Sequence, residues 1–304
     1  MTTTVPETPT ETPTQPAQLT LAQRIGAGPP DGTVKYLNEL LYAEPSIGKT
    51  YHYGTIVDWP EEFLPSLLID IDGGTDTIKD LGLKHPNFHV SPPIRSLDAL
   101  KELYRELAAD FSSGASFYKS ICLDNITELQ KMDMNEVMVE AKASANNPEN
   151  VDLYVPSQRE WGKSGERMRI VIRSFRDLPC HTICMAYTDE RENKLTKINQ
   201  IWPGMPGKLR HEISGFFSVI GYMSVYEEGG ETHRQIQFKK TRVVQARDRF
   251  QVLPELMKND PTLPDVWRII KESGAQLHVD DPLATQVAQV APDPLAALSA
   301  AVTP

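Results

Sequence analysis

Apolar residues in this chain fall into short continuous runs, separated by stretches in which they recur every three or four positions. Leu37 to Tyr42 is one such run, and Leu67-Leu68-Ile69-Asp70-Ile71-Asp72 is a second that ends on acids and the turn signal Gly73-Gly74. Tyr118 to Leu123, closed by Asp124, and His181 to Tyr187 complete a set of four predicted buried strands. Between them, Ser96 to Phe111 places Leu97, Leu100, Leu103, Leu107 and Phe111 at helical spacing behind Ser96 as N-cap. A long helical pattern passes through Leu129, Met132, Val137 and Val139, and after a polar break at Asn146 to Glu149 another helix is predicted from about Trp161 to Phe175. Strands alternating with helices predict an α/β fold with a mostly parallel sheet covered on both faces.

The rest of the chain is patterned differently. Thr188 to His211 is polar, contains Trp202-Pro203-Gly204 and Pro206-Gly207, and reads as an irregular loop of a length usually reserved for function. Phe216 to Tyr226, then Gly229-Gly230, then His233 to Phe238 predict an antiparallel hairpin at the sheet edge. Asp265 to Glu272 predicts a last helix, and no internal repeat is present. The first twenty or so residues alternate Thr, Pro and Glu, and the last thirty are acidic and Ala/Pro-rich, compositions that bury too little to offset the entropy of ordering. The expected layout is a loose tail over residues 1–32, a core over 33–258, a helix over 259–274 and a second loose tail over 275–304.

Composition narrows the function classes. No basic segment with an apolar stretch opens the chain and no apolar run could cross a bilayer, so a soluble, cytoplasmic protein with no membrane partner is expected. The three cysteines, Cys122, Cys180 and Cys184, sit in predicted buried strands, where a thiol behaves as a small hydrophobe. Cys180-His181-x-x-Cys184 has half of a zinc pattern, but no second Cys/His pair accompanies it. A formal net charge of -10 argues against indiscriminate coating of nucleic acid. Basic residues nevertheless concentrate in two stretches, Arg159 to Arg176 and Arg234 to Arg249.

The first strand leads into Ala43-Glu44-Pro45-Ser46-Ile47-Gly48-Lys49-Thr50, followed by Tyr51 and a segment able to open a helix. Strand, loop and helix in that order form a phosphate cradle: backbone N–H groups surround the phosphates, a Lys reaches the outer ones, and a Ser/Thr hydroxyl ligates Mg2+. Glu44 to Tyr51 are therefore the expected nucleotide-binding residues, with Lys49 on the phosphates of ATP and Thr50 on Mg2+. Ala43 stands where a first glycine is usual, and Ser46 adds a side chain to the loop. Asp124, at the tip of its strand, is the expected second metal ligand, a position equally suited to capping the next helix. Asp72 is the candidate to orient or deprotonate the attacking water, although Asp70 and Asp72 also suit a turn before Gly73-Gly74. Thr188, ending the strand after that of Asp124, is a candidate sensor of the terminal phosphate.

These residues resemble the small phage-encoded RecA-like ATPases that pair a RecA core with single-strand annealing or recombination. The likeness runs from about Val34 to Pro254 and includes Trp161-Gly162-Lys163, Arg167-Met168-Arg169 and Gln245-Ala246-Arg247-Asp248-Arg249-Phe250. It implies a RecA-like P-loop core, a RecA-type glutamate position filled here by the shorter Asp72, and Arg247 and Arg249 as cations offered to the site of a neighbouring subunit. It also likens Thr188 to His211 to a DNA-binding loop, with Arg191, Lys194, Lys197, Lys208 and Arg210 tracking phosphates and Trp202 stacking on a base. The implied activity is a slow, DNA-stimulated ATPase acting as a ring or filament on single-stranded DNA, with a single-strand-binding protein as a further candidate partner. Two alternatives stay open: a nucleotide-dependent assembly or loader protein whose loops bind proteins, and a non-enzymatic module with a spent phosphate loop.

Overall fold

The computed structural model describes residues 36–78, 85–115 and 117–273, so the tails expected over 1–32 and 275–304 lie outside the described residues. β1 (Asn38–Ala43) leads through the phosphate loop into α1 (Lys49–Gly54), a 3-10 turn (Thr55–Asp58) and α2 (Pro60–Phe63). β2 (Ser66–Asp70), β3 (Phe88–Val90), α3 (Leu97–Ser113), β4 (Ser120–Asp124), α4 (Ile126–Ala143) and α5 (Gln158–Arg176) follow. Then come β5 (His181–Glu192), β6 (Asn199–Pro203), α6 (Leu209–Ile213), β7 (Val219–Glu228), β8 (Glu231–Gln237), β9 (Arg247–Asp248), β10 (Leu256–Met257) and α7 (Leu263–Glu272).

Among the described residues the strands join in one ten-stranded sheet of order β10-β8-β7-β1-β5-β4-β2-β3, with β6 on β5 and β9 on β7. Every pair from β7 to β3 is parallel, whereas β8, β10, β6 and β9 pair antiparallel. This is the expected α/β class, a mostly parallel sheet flanked by helices with an antiparallel hairpin on its C-terminal side. β5 lies between β1 and β4, so the loop strand and the acidic strand are one strand apart.

Strand alternation sorts the core onto two faces. Leu40 and Tyr42 of β1 pack with Leu100, Leu107, Leu129, Val171 and Phe175 under α3, α4 and α5. Leu41 and Ala43 point the other way, toward Tyr53, Ile56, Phe63, Val266 and Trp267. Burying Leu263, Val266, Trp267 and Ile270 contributes on the order of 1.5–3 kcal/mol for each large side chain, which ties α7 into the same core as α1.

Capping residues set the helix starts. Ser96 accepts from Ala99 N at 3.1 Å, as its position predicts. α5 begins at Gln158, three residues before its periodicity shows, because Ser157 and Glu160 form a capping box. Thr262 and Asp265 do the same for α7, which starts at Leu263 rather than Asp265. Asn125, not Asp124, caps α4, accepting from Glu128 N at 2.9 Å and leaving the Asp124 carboxylate for the site.

Two expectations are revised. Thr188 to His211 is not irregular: β5 continues to Glu192, pairs antiparallel with β6 from Thr188↔Pro203 to Glu192↔Asn199, and α6 follows. The outer part of this hairpin presents polar or exposed residues on both faces, so no apolar alternation marks it in sequence. The basic stretch in α5 is not an open cationic surface. Arg167 is buried against Asp133 (3.4 Å) and Glu140 (2.8 Å), Lys163 shares Glu140, and Arg169 is engaged by Glu166 and Glu212.

Glu39 is fully buried in β1, on the face of Leu37 and Leu41, with both carboxylate oxygens lacking a partner among the described residues. Burial raises its pKa from 4.5 to about 8. The folded chain therefore binds a proton that the unfolded chain releases, so stability is highest below pH 4.5 for this group and falls as pH rises toward about 8. Glu39→Gln is expected to remove that slope, gaining over wild type roughly 1.4 kcal/mol for each pH unit in the window. Denaturant unfolding at pH 5 and pH 8 checks this, and parallel losses in both proteins would contradict it.

Candidate functional site

The site forms at the C-terminal edge of the parallel strands, where open sheets of this kind place ligands. After Ala43 the chain turns through Ser46 (φ 64°) and Gly48 (φ 106°), both left-handed. Gly48 has no substitute: besides its φ, an added Cβ would lie 2.6 Å from Arg234 Nε. The turn aims Lys49 back over the loop, where Nζ donates to Glu44 O at 2.9 Å and Ala43 O at 3.3 Å. Burial lowers the pKa of Lys49, partly offset by the nearby carboxylates of Asp124 and Asp72.

Thr50 Oγ1 donates to Asp124 Oδ2 at 2.6 Å, joining α1 to the end of β4. Burial raises the Asp124 pKa to about 6, the Asp72 and Asp70 charges add to the rise, and Thr50 and Lys49 oppose it. A buried carboxylate and a hydroxyl in contact are hard oxygen donors of the kind Mg2+ takes, and a cation there would relieve the desolvated charge. Thr50 and Asp124 therefore fit Mg2+ and would hold it, and the ion would supply positive charge to offset that of the phosphates. Asp70 pairs with Asp124 in the sheet register and uses its Oδ1 to accept from Gly73 N at 2.7 Å, taking the turn role.

Asp72 lies just past the end of β2, its N–H directed to Asp124 O. Oδ1 accepts from Gly74 N at 2.9 Å, while Oδ2 accepts from Asn125 Nδ2 at 2.7 Å and Tyr187 OH at 3.0 Å. Asp72 thus serves the turn and faces the site at once. Tyr187 is a residue the sequence expectations passed over by one position. It sits opposite Ala43 in the β1–β5 register, and its ring centre lies 4.7 Å from Lys49 Nζ. Thr188, the expected sensor, is the next residue of β5 and faces Pro203 across the hairpin. Alternation sends its side chain to the other face of the strand. Burial, then the Asp72 charge and hydrogen bond, push the Tyr187 phenol up to about 12, so it remains an O–H donor.

The remaining expected residues lie elsewhere. Arg247 Nη1 donates to Ser214 O and Arg249 Nη2 to Gly215 O, at 2.6 and 2.8 Å. β9 joins β7 at Val219 and Ile220, level with Glu39 and Leu40 at the start of β1. That is about 10 Å along the strand from the start of the phosphate loop. On the β5–β6 hairpin, Arg191 pairs with Asp189 and Lys197 with Glu192, all at least a quarter exposed, and Lys194 is exposed. Trp202 is half-buried, edge-on to His211 with ring centres 4.8 Å apart. Lys208 is exposed at the start of α6. Arg210 is buried, paired with Asp189 and donating to Met205 O, so it braces the hairpin rather than facing outward. His181 is likewise committed: its Nδ1 accepts from Leu37 N at 3.1 Å within a ring cluster of Phe63 and Trp267.

A phosphate loop at the end of a central parallel strand, with its lysine buried and its threonine bonded to an acid from the next strand but one, defines a P-loop nucleoside triphosphatase. The family model described as AAA domain matches residues 35–250, and the chain belongs to that family. No curated protein matches the sequence significantly. Similar solved structures include a KaiC-like protein from the archaeon Pyrococcus horikoshii, at 14% identity over 77% of this chain and 92% of that one, with a TM-score of 0.33. Another is the flagellar accessory protein FlaH from Methanocaldococcus jannaschii, at 14% identity over 79% of this chain and 95% of that one, with a TM-score of 0.37. Among the described residues, no helix is long and apolar enough to cross a membrane.

Tyr187→Phe keeps the ring over Lys49 and removes only the hydrogen bond to Asp72. Nucleotide binding is expected to hold while turnover falls about fivefold, the worth of one hydrogen bond of about 1 kcal/mol. Tyr187→Ala is expected to weaken binding as well. Equilibrium titration beside steady-state turnover separates the two effects, and unchanged turnover in Tyr187→Phe would remove the phenol from the reaction.

Proposed function

We propose that this protein is an ATP- and Mg2+-dependent recombination protein of the single-strand annealing or exchange kind, working as an oligomer on single-stranded DNA. The observation that carries the reading is the continuity of β5. One strand brings Tyr187 onto Lys49 and Asp72 and then runs outward as the first arm of the β5–β6 hairpin. A ligand on that hairpin pulls on the strand that holds this tyrosine. Arg191, Lys194, Lys197 and Lys208 supply phosphate-seeking cations, and the half-buried Trp202 a stacking face.

Arg247 and Arg249 stand on β9, set back along the strands from the phosphate loop, and in this reading they serve a neighbouring subunit, where a positive group at the outer phosphate stabilises phosphoryl transfer. Hydrolysis is slow in this reading, since Asp72 is short and both its oxygens are engaged. One observation favours the alternative of an assembly or loader protein. Asp189, Glu190 and Glu192 interleave the hairpin cations, a mixed-charge surface that suits a protein partner.

ATP turnover with and without single-stranded DNA, beside a mass measurement in each state, distinguishes them. The recombination reading predicts DNA-stimulated turnover, a higher-order assembly, loss of activity in Lys49→Ala, and DNA binding that weakens with salt. Replacing Lys194 and Lys197 with Ala is expected to shallow the slope of log affinity against log salt by about 0.7 for each phosphate no longer neutralised. Tight nucleotide binding with no affinity for single strands at low salt would remove this reading and leave the loader.

A further inference from the structure

Arg234 of β8 reaches the outer side of the phosphate loop. Its Nε–H donates to Ile47 O at 2.8 Å, its guanidinium lies against Gly48, and its carbon Cζ is 5.5 Å from the centre of the Tyr51 ring. Asp260 anchors it: Oδ1 accepts from the Arg234 backbone N–H at 3.0 Å and from Nη1 at 3.2 Å. Oδ2 of Asp260 pairs with His233 Nδ1 at 3.0 Å, and Asp260 N donates back to Arg234 O. Asn259 and Asp260 both hold left-handed φ values, 63° and 57°, a conformation that surrounding contacts must maintain in residues with a Cβ.

The same segment grips the helix behind the loop. Burial lowers the His52 pKa to about 4, so the neutral ring donates its Nδ1–H to Pro261 O at 3.0 Å. Leu263 N donates to Thr55 Oγ1 at 3.1 Å. Residues 260 to 263 therefore hold the phosphate loop through Arg234 and hold α1 through His52 and Thr55. The planar fork of an arginine is suited to this, because one side chain takes a carbonyl with Nε and a carboxylate with Nη1. A lysine has no such pair of donors.

We propose that Arg234 is a positioning residue for the nucleotide, fixing the Ile47–Gly48 peptide from outside the loop and covering Tyr51, with Asp260 holding it in place. The inference rests on the nucleotide-binding reading of the loop. Arg234 and Asp260 are both partly exposed, so their ion pair adds little to stability. Its removal is read in the loop instead.

The test uses the full chain and a fluorescent ATP analogue with Mg2+, alongside thermal unfolding and amide hydrogen exchange of residues 46–49 without nucleotide. Arg234→Ala is expected to bind about tenfold more weakly, to exchange faster in the loop, and to melt within about 2 °C of wild type. Asp260→Asn is expected to show a smaller loss of the same kind, and Arg234→Lys to recover less than half of the loss on a logarithmic scale. Wild-type affinity and exchange in Arg234→Ala overturn the proposal, as does full recovery by lysine, since charge without the fork would then suffice. Lys49→Ala reports on the nucleotide reading alone. If wild type binds and Lys49→Ala does not, while Arg234→Ala matches wild type, only the role of Arg234 falls. If wild type itself fails to bind, the nucleotide reading falls and this inference with it.

Discussion

The hydrogen bond from Thr50 to Asp124 joins two elements that are not neighbours in the sheet. β5 separates β1 from β4, so the contact exists only because β1 and β4 end at the same edge and the loop folds back over that edge. Much else follows from this requirement. Gly48 must be left-handed to aim α1 at β4, Asn125 must cap α4 so that Asp124 is free, and Tyr187 must sit beside Ala43 to cover Lys49. The parallel register of β1, β5 and β4 is thus a positional constraint on chemistry as much as a packing solution.

Two oppositely charged groups, Lys49 and Asp124, share this edge at low solvent access. Lys49 is pushed toward its neutral form and Asp124 toward its protonated form, each chiefly by burial and each partly rescued by the other. Such a cluster is costly in the free protein, and a polyphosphate with a divalent cation would relieve it. Glu39 in β1 is a buried carboxylate away from this edge, and its effect is expected in stability rather than in binding.

The sheet's central strands were legible in sequence because each is buried on both faces and reads as a continuous apolar run. Lys49, Thr50 and Asp124 were legible because phosphate chemistry needs those residue types in that order. Tyr187 was missed because only the register with β1 shows which residue of the strand end faces the loop. The hairpin of β5 and β6 was hidden by its lack of an apolar face, and the burial of Arg210 and Arg167 by acidic partners distant in sequence. The contact of Arg234 with the loop is not legible in sequence: 187 residues separate it from Ile47, and only folding brings them together.

The central claim is that the loop, Thr50 and Asp124 form one Mg2+-dependent nucleotide site. Calorimetric titration of the wild-type chain with a slowly hydrolysed ATP analogue, in Mg2+ and then in a chelator, tests it most directly. The account predicts one nucleotide bound per chain, with most of the affinity lost when the metal is removed. Equal affinity in both conditions, or no binding in either, would contradict it.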